Sequence, residues 1–223
     1  MGQAARRKAA LASRQPTGEI TIRDAAPGEG QRVRHLLDRY IGGEGTADVV
    51  SRIDHPRTSP PGLWVQLVAE RDGLLVGALT AGDIFSKPEV REQPQAEAML
   101  GAHAEFINLA VHRDARGQRL GHRLLAEAEQ RYTSAGYRCL SGEFTAKQTH
   151  LRDYYREAGF EIGKPGGLVV MVFSEQLMCP LEPHNGASAI WKAVSSGVKV
   201  VNFSAVSAAE GERLIEQAIR DFQ

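Results

Sequence analysis

A glycine-containing turn between two apolar segments gives the strongest indication of how this chain folds. The segment AEFINLAVH (104–112) has apolar residues on both faces, as a central strand does. Residues 117–134 follow with helical periodicity, and their apolar stripe consists of Leu120, Leu124, Leu125 and Ala128. Between the two segments the chain reads ARGQRLG. The sequence therefore predicts a buried strand, a short turn and an amphipathic helix in direct succession.

Such a turn is suited to binding an anion. The first N–H groups of a helix have no partner within the helix and carry a partial positive charge. Glycine lets the backbone approach an anion closely, and Arg116 and Arg119 would add charge-assisted hydrogen bonds to phosphate oxygens. Residues 116–121 thus indicate a diphosphate cradle. The alternative is a helix whose first turn contains glycines and solvated arginines without a ligand.

The remaining segments up to residue 175 predict an α+β fold with a mixed central sheet flanked by helices. Strand-like runs at 63–70 and 74–85 are separated by Arg-Asp-Gly, which favours a hairpin. The other predicted elements are strands at 19–25 and 137–144, helices at 29–40 and 148–158, a loop at 86–101, and a final strand pair at 160–163 and 168–173.

The two ends of the chain differ from this pattern. Residues 1–18 are rich in Ala, Arg and Lys and predict a flexible basic tail before a domain over 19–175. Residues 176–223 predict a C-terminal strand-helix extension that packs on the core or forms a homodimer interface. Its expected elements are a loop at 178–186, a short helix at 189–194, a strand at 198–203 and a helix at 207–222 that opens with a capping box, Ser207 and Glu210.

Composition excludes several classes of function. The 27 basic and 27 acidic residues give zero formal net charge, which argues against a dedicated nucleic-acid-binding protein. No apolar run has the length of a membrane span and no secretion signal is recognisable, so we expect a cytoplasmic protein without a membrane partner. The two cysteines, Cys139 and Cys179, lack the spacing of metal ligands, and we predict no metal.

The order of strand, cradle, helix, strand and helix resembles the GNAT superfamily of acyl-CoA-dependent N-acyltransferases. Arg116 and Gly121 match the first and last positions of the family cradle, Gln/Arg-x-x-Gly-x-Gly/Ala, while Arg119 replaces its central glycine. We expect ordinary helical backbone at Arg119. LAVHRDARG (109–117) and YYREAGFE (154–161) are similar to the strand-to-cradle segment and to the tyrosine helix of the family. The resemblance covers about residues 19–175.

The resemblance implies acetyl-CoA as the acyl donor. Its pantetheine arm would lie in a V-shaped opening between the strands at 104–112 and 137–144, paired with the backbone of the first strand. Its pyrophosphate would be held by the N–H groups of the cradle. The implied cofactor-binding residues are Leu109, Ala110, Val111, Arg116, Gly117, Gln118, Arg119, Leu120, Gly121, His122 and Gln148, the last standing where the family often has asparagine.

The resemblance also implies direct attack of a neutral amine on the thioester. Tyr155 matches the tyrosine that protonates the leaving thiolate; the alternative is an aromatic side chain in the core. Glu105 is the first candidate for the base, because a position four residues before Leu109 should face the same side of the strand as Leu109. The alternative is a solvated glutamate at the strand edge, and Glu143 and His103 are the reserve candidates.

These residues predict an acetyl-CoA-dependent N-acetyltransferase that acts on a primary amine of a small molecule or a peptide. One alternative is a catalytically degenerate module that binds acyl-CoA as a sensor. Another is a toxin-like enzyme that acetylates aminoacyl-tRNA, which the zero net charge disfavours. Residues 41–62 and 86–101 would line the acceptor side, but their mixed charges do not identify the amine.

Overall fold

The computed structural model describes residues 18–42, 46–58, 62–83, 96–145 and 147–222, and the basic tail over 1–17 lies outside these ranges. The described residues form two β-sheets and six α-helices. In spatial order, the central sheet contains β1 (Thr21–Asp24), β2 (Trp64–Arg71), β3 (Leu74–Asp83), β4 (His103–Val111), β5 (Cys139–Phe144), β9 (Ser188–Ala193) and β6 (Glu161–Ile162). The second sheet contains β10 (Lys199–Asn202), β7 (Val169–Ser174) and β8 (Leu177–Leu181). The helices are α1 (Gly30–Tyr40), α2 (Val49–Asp54), α3 (Ala96–Met99), α4 (Leu120–Ser134), α5 (His150–Glu157) and α6 (Ala208–Arg220).

Helices cover both faces of the central sheet, as its apolar strands require. Leu120 and Leu124 of α4 pack in one core with Leu67 of β2, whereas Val33 of α1 packs in another core with Val68 of β2. Adjacent residues of β2 therefore face opposite layers. Since both layers exclude water, the inner strands are apolar on both sides. The predicted α+β architecture with a mixed sheet is confirmed, and no helix of the described ranges is long and apolar enough to cross a membrane.

The C-terminal segment departs from the prediction first at strand β9. A helix was expected over 189–194, but all of these residues except Val194 belong to strand β9, which pairs antiparallel with β5 and with β6 inside the central sheet. Its first residues, Ser188 to Trp191, are all buried. A short run buried on both faces has no alternation, so periodicity does not distinguish it from a buried helical turn.

Two further expectations for this part of the chain are wrong. The segments at 160–163 and 168–173 do not pair with each other, because β6 pairs with β9 and β7 lies between β8 and β10. The predicted loop at 178–186 contains most of strand β8. Strand β10 and helix α6 are confirmed, and the Ser207 hydroxyl accepts a hydrogen bond from the Glu210 N–H at 3.3 Å.

Strands β4 and β5 separate along their length and form the V-shaped opening that the family resemblance implies. They pair in parallel from His103 opposite Cys139 to Phe106 opposite Gly142. Beyond Phe106 the β5-facing edge of β4 has no strand partner within the described residues. On its other edge β4 pairs antiparallel with β3, and Ile107 forms a bulge there, since Thr80 opposes Asn108 and Ala81 opposes Phe106.

Candidate active site

A cleft of about 450 Å³ lies where β4 ends, α4 begins and α5 packs alongside. All predicted cofactor-binding residues except Gln118 line it: Leu109, Ala110, Val111, Arg116, Gly117, Arg119, Leu120, Gly121, His122 and Gln148. Tyr154 and Tyr155 contribute the α5 side, and Tyr40 and Ile41 close the cleft from the end of α1. Three separate parts of the chain therefore enclose one cavity of the size that small ligands occupy.

The turn before α4 has left-handed backbone at two positions. Gly117 has φ +76°, and Arg119, the N-cap of α4, has φ +53° and ψ +21°. The expectation of helical backbone at Arg119 is wrong, and the helix begins at Leu120. A residue with a Cβ in this conformation costs about 1–2 kcal/mol, because the Cβ crowds the following carbonyl oxygen. Arg119 thus occupies a conformation that favours glycine.

The first turn of α4 presents its N–H groups to the cleft. No side chain caps this helix, and the first backbone bond of the helix runs from the Arg123 N–H to the Arg119 carbonyl at 3.0 Å. The N–H groups of Leu120, Gly121 and His122 precede that bond and have no partner within the helix. Arg116 lies beside them, with its guanidinium 5.5 Å from the ring centre of Tyr40. The geometry is that of an anion site.

Gln118 faces away from the cleft. Its side-chain oxygen accepts a hydrogen bond from a terminal guanidinium nitrogen of Arg71, a side chain that is only 6% exposed at the end of β2. Gln118 therefore connects the cradle to the neighbouring hairpin rather than to the cleft. Its assignment as a residue lining the cofactor site is not supported by its placement.

The two adjacent tyrosines of α5 line different parts of the cleft. Tyr155 stacks on Phe144 of β5 at a centroid distance of 5.8 Å, and burial raises the pKa of its phenol to about 12. Tyr154 reaches the first turn of α4, where a Cβ added to Gly121 would overlap its hydroxyl. Gly121 therefore makes room for Tyr154, whereas Gly117 provides the unusual backbone angle of the turn.

The bulge at Ile107 changes the direction in which Glu105 points. Glu105 opposes Gly82 and shares the strand face of Asn108, whose amide donates to the Thr80 hydroxyl at 3.0 Å. Leu109 shares the opposite face with Phe106, because the extra residue shifts the alternation by one. The expectation that Glu105 and Leu109 face the same side is wrong. Glu105 is half-buried and does not line the cofactor cleft.

The three candidates for the base lie on one face of the sheet. His103 and Glu105 are two residues apart on β4 and therefore share a face of the sheet. The Cα partner of Glu105 on β5 is Ser141, and Glu143 lies two residues further along β5 on that same face. His103 is buried, with Nε2 2.6 Å from the Ser141 hydroxyl and Nδ1 3.9 Å from Cys179 Sγ. A carboxylate oxygen of Glu143 accepts the His184 N–H at 2.9 Å.

Neither cysteine is a nucleophile at neutral pH. Burial raises the pKa of Cys139 to about 12. Burial, with a smaller contribution from the charge of Glu105, raises the pKa of Cys179 to about 12 as well. Both thiols therefore stay protonated, whereas nucleophilic cysteines act as thiolates. In the described ranges, no group of three or more His, Cys, Asp and Glu side chains is arranged to hold a metal ion.

The sequence model of the acetyltransferase (GNAT) family matches residues 31–160, more than half of the chain. The chain belongs to the GNAT acetyltransferase family. Its fold is similar to that of the yncA protein of Salmonella typhimurium, solved with acetyl-CoA (TM-score 0.56, 15% identity, 80% of this chain and 95% of that one). It is also similar to the paia N-acetyltransferase of Thermoplasma acidophilum in complex with coenzyme A (TM-score 0.54, 13% identity, 78% and 99%).

A third similar structure is the ribosomal-protein-S18-alanine N-acetyltransferase of Escherichia coli, with a TM-score of 0.50 and 14% identity over 85% of this chain and 97% of that one. No curated protein matches the chain. At these identities the solved structures show a shared fold, and the family match identifies the chain as a GNAT acetyltransferase.

Sequence reasoning missed several cleft residues of this GNAT domain. Tyr40 and Ile41 come from α1, far from the cradle in sequence, and no motif links them to it. His150 and Leu151 precede Tyr155 on α5 and were accessible from helical spacing alone, because residues one turn apart share a helix face. At Arg119 a signal was present but not used, since a glycine at this position of the family cradle is compatible with left-handed backbone, whereas helical backbone was expected.

Proposed function

We propose that the chain is an acetyl-CoA-dependent N-acetyltransferase that transfers an acetyl group to a primary amine. The observation that carries this proposal is the cleft in which an anion-binding helix terminus, the part of β4 beyond its pairing with β5, and Tyr155 meet. Two proteins of similar fold, described above, were solved with acetyl-CoA or coenzyme A.

The cleft residues suit this cofactor in charge and in hydrogen-bonding capacity. The N–H groups of Leu120, Gly121 and His122 together with Arg116 and Arg119 form a positive site for a diphosphate. Beyond Phe106 the β5-facing edge of β4 has no strand partner in the described ranges, and Leu109, Ala110 and Val111 offer backbone groups there to the amide-containing pantetheine arm, as an added strand would. Three buried polar atoms in the cleft wall also lack partners among the described residues: the hydroxyls of Tyr40 and Tyr154 and the Nε2 atom of His122.

Acetyl-CoA supplies an acetyl group activated as a thioester, which a neutral amine attacks. The backbone N–H groups on this β5-facing edge of β4 provide the donors that stabilise negative charge on the acetyl oxygen. Tyr155 carries its proton at neutral pH, since burial holds its pKa at about 12, and it donates that proton to the leaving sulfur.

Glu105 is the proposed base that removes the proton of the amine. Such a step is required because a lysine-like amine has a pKa of about 10.4 and is protonated at neutral pH. Glu105 stands on β4 two residues before Ile107, where β4 and β5 separate, and on the face opposite Leu109. The amine therefore approaches from that face. Glu143 is engaged by the backbone N–H of His184 and is the second candidate.

The proposed acceptor is a primary amine of a small molecule or a peptide. The Escherichia coli relative is named for an alanine of a ribosomal protein, which makes a peptide N-terminus one of the acceptors to test. The remaining classes are small amines. A panel that contains both kinds decides between them.

Calorimetric titration of the purified protein with acetyl-CoA and with CoA tests the proposal first. We expect micromolar binding, and we expect Arg116→Glu to weaken it at least tenfold because the charge in the cleft is reversed. The matched control is Arg220→Glu, the same change on α6 and outside the cleft. Absence of binding by the wild-type protein would overturn the cofactor assignment. Binding without acetylation of any amine in the panel would favour a sensor module instead.

A further inference from the structure

Besides the hydroxyl of Tyr40 on the α1 side, two polar side-chain atoms in the wall of the cofactor cleft are buried without a hydrogen-bond partner among the described residues. They are the hydroxyl oxygen of Tyr154 and the Nε2 atom of His122. The two rings lie against each other, with centroids 4.3 Å apart. A carboxylate oxygen of Glu157 lies 3.9 Å from His122 Nε2, beyond hydrogen-bond distance. Buried polar atoms are almost always paired in folded proteins, so an orphaned pair inside a ligand cleft indicates partners on the ligand.

The position of the Tyr154 hydroxyl indicates which part of the ligand that is. The hydroxyl rests on Gly121, at the point where a side chain on that residue would overlap it. Gly121 is the second residue of α4, and its N–H belongs to the anion-binding first turn. The hydroxyl is therefore next to the backbone donors of the proposed diphosphate site. Burial raises the pKa of Tyr154, so the phenol keeps its proton at neutral pH and acts as a donor.

We propose that Tyr154 and His122 donate hydrogen bonds from their side chains to the diphosphate of the cofactor. This inference rests on the proposed function and extends it from backbone groups to side chains that this chain contributes. Gly121 is then required for two reasons, because it leaves the N–H accessible and leaves room for the phenol above it.

A packing role makes a different prediction. If Tyr154 only fills the space over Gly121, its hydroxyl is dispensable for cofactor affinity. Tyr154→Phe keeps the ring and removes only the hydroxyl, so it separates the two roles. His122→Phe likewise keeps an aromatic ring against Tyr154 and removes the nitrogen donor.

The experiment compares two ligands by calorimetry: CoA, which contains the diphosphate, and acetylpantetheine, which does not. For Tyr154→Phe we expect CoA to bind about tenfold more weakly, as for the loss of a hydrogen bond to a charged acceptor, while acetylpantetheine binds as in the wild type. We expect the melting temperature without ligand to be unchanged or higher, because an unsatisfied buried hydroxyl is gone. The matched control is Tyr132→Phe, which removes the hydroxyl of a buried tyrosine outside the cleft and should leave CoA affinity unchanged.

Each other outcome identifies what has failed. CoA affinity within twofold of the wild type in both Tyr154→Phe and His122→Phe would overturn the inference and leave the proposed function intact. An equal loss of affinity for CoA and acetylpantetheine would also overturn it, since that pattern indicates a distorted cleft. No CoA binding by the wild-type protein would overturn the proposed function, and this inference with it.

Discussion

The cofactor side and the amine side that we propose for this GNAT domain are assembled in different ways. On the cofactor side, Leu109 to His122 and Gln148 to Tyr155 are two continuous segments that carry almost the whole site. On the amine side, Glu105 and Ser141 meet across two strands, and Cys179 and His184 arrive from the C-terminal segment. A local motif can specify the first arrangement, whereas the second depends on strand register and on tertiary packing.

The two sides also depart from regular structure in different ways. The cradle uses left-handed backbone at Gly117 and Arg119, which turns the chain sharply from strand into helix. The amine side uses the bulge at Ile107, which moves Glu105 to the face opposite Leu109. The left-handed turn positions backbone N–H groups, whereas the bulge changes the direction in which the side chain of Glu105 points. Substitutions on the two sides should accordingly affect different kinetic constants.

The largest effect is expected for Glu105→Gln. The amide keeps the shape of the side chain but cannot take the proton of the amine, so kcat should fall about 10²- to 10⁴-fold at neutral pH. The affinity for CoA should stay unchanged, because Glu105 lies outside the cofactor cleft. Steady-state kinetics with an identified acceptor, combined with calorimetry, measures both quantities.

Glu143→Gln is the matched control for this prediction. Its carboxylate already accepts hydrogen bonds from His184, and we expect a loss of less than about tenfold. A larger loss in Glu143→Gln than in Glu105→Gln would assign the base to Glu143. Equal CoA affinity in both variants would show that the amine side is separable from the cofactor side.

A smaller effect on turnover is expected for Tyr155→Phe. The variant loses the proposed proton donor for the leaving sulfur, and we expect kcat to fall about 10²-fold while the affinity for CoA is retained. Because burial holds the pKa of Tyr155 at about 12, the phenol stays protonated up to about pH 10. The wild-type pH profile should therefore show no alkaline limb from this residue below pH 10. An unchanged kcat would contradict the assigned role and favour a purely packing function against Phe144.

Features that depend on neighbouring residues could be predicted from the sequence, as on the cofactor side. The strand-turn-helix at 104–134, the hairpin of β2 and β3 and the tyrosine helix were predictable, because short-range periodicity and turn residues specify them. The GNAT cradle followed from the same segment. These features depend on residues within about one element of each other.

Features that depend on distant segments were not predictable. Strand β9 has buried residues on both faces, so nothing in its own sequence shows that it lies between β5 and β6. The bulge in β4 has no glycine or proline to mark it, and it becomes visible only through its register with β3. The contact of Gln118 with Arg71 likewise requires knowing that the β2–β3 hairpin ends beside the cradle.

A moderate effect on stability is expected for Gly121→Ala. The added methyl overlaps the hydroxyl of Tyr154, and overpacking of this kind costs about 1–3 kcal/mol, of which the better helix propensity of alanine offsets up to about 1 kcal/mol. Urea denaturation of Gly121→Ala, Tyr154→Leu and the double variant measures the coupling between the two positions. We expect the methyl to be tolerated once the phenol is absent, with a coupling energy of about 1 kcal/mol or more. Strictly additive effects would contradict the steric account of Gly121.

The smallest effect, and one that joins folding to binding, is expected for Arg119→Gly. Glycine relieves the left-handed strain of about 1–2 kcal/mol, but its greater freedom in the unfolded chain offsets up to about 1 kcal/mol of that gain. The protein should therefore become more stable by about 0.5–1 kcal/mol and bind CoA more weakly, because a cation next to the diphosphate site is lost.

Arg113→Gly is the matched control: it removes the same charge at a position with negative φ, outside the cleft, and should neither stabilise the protein nor weaken binding. Thermal unfolding and calorimetry on both variants check the pair, and a loss of stability in Arg119→Gly would contradict the assignment of strain. A gain in stability together with lower affinity would show that this GNAT chain retains an arginine at the glycine position of the cradle because it binds the cofactor, at the expense of folding stability.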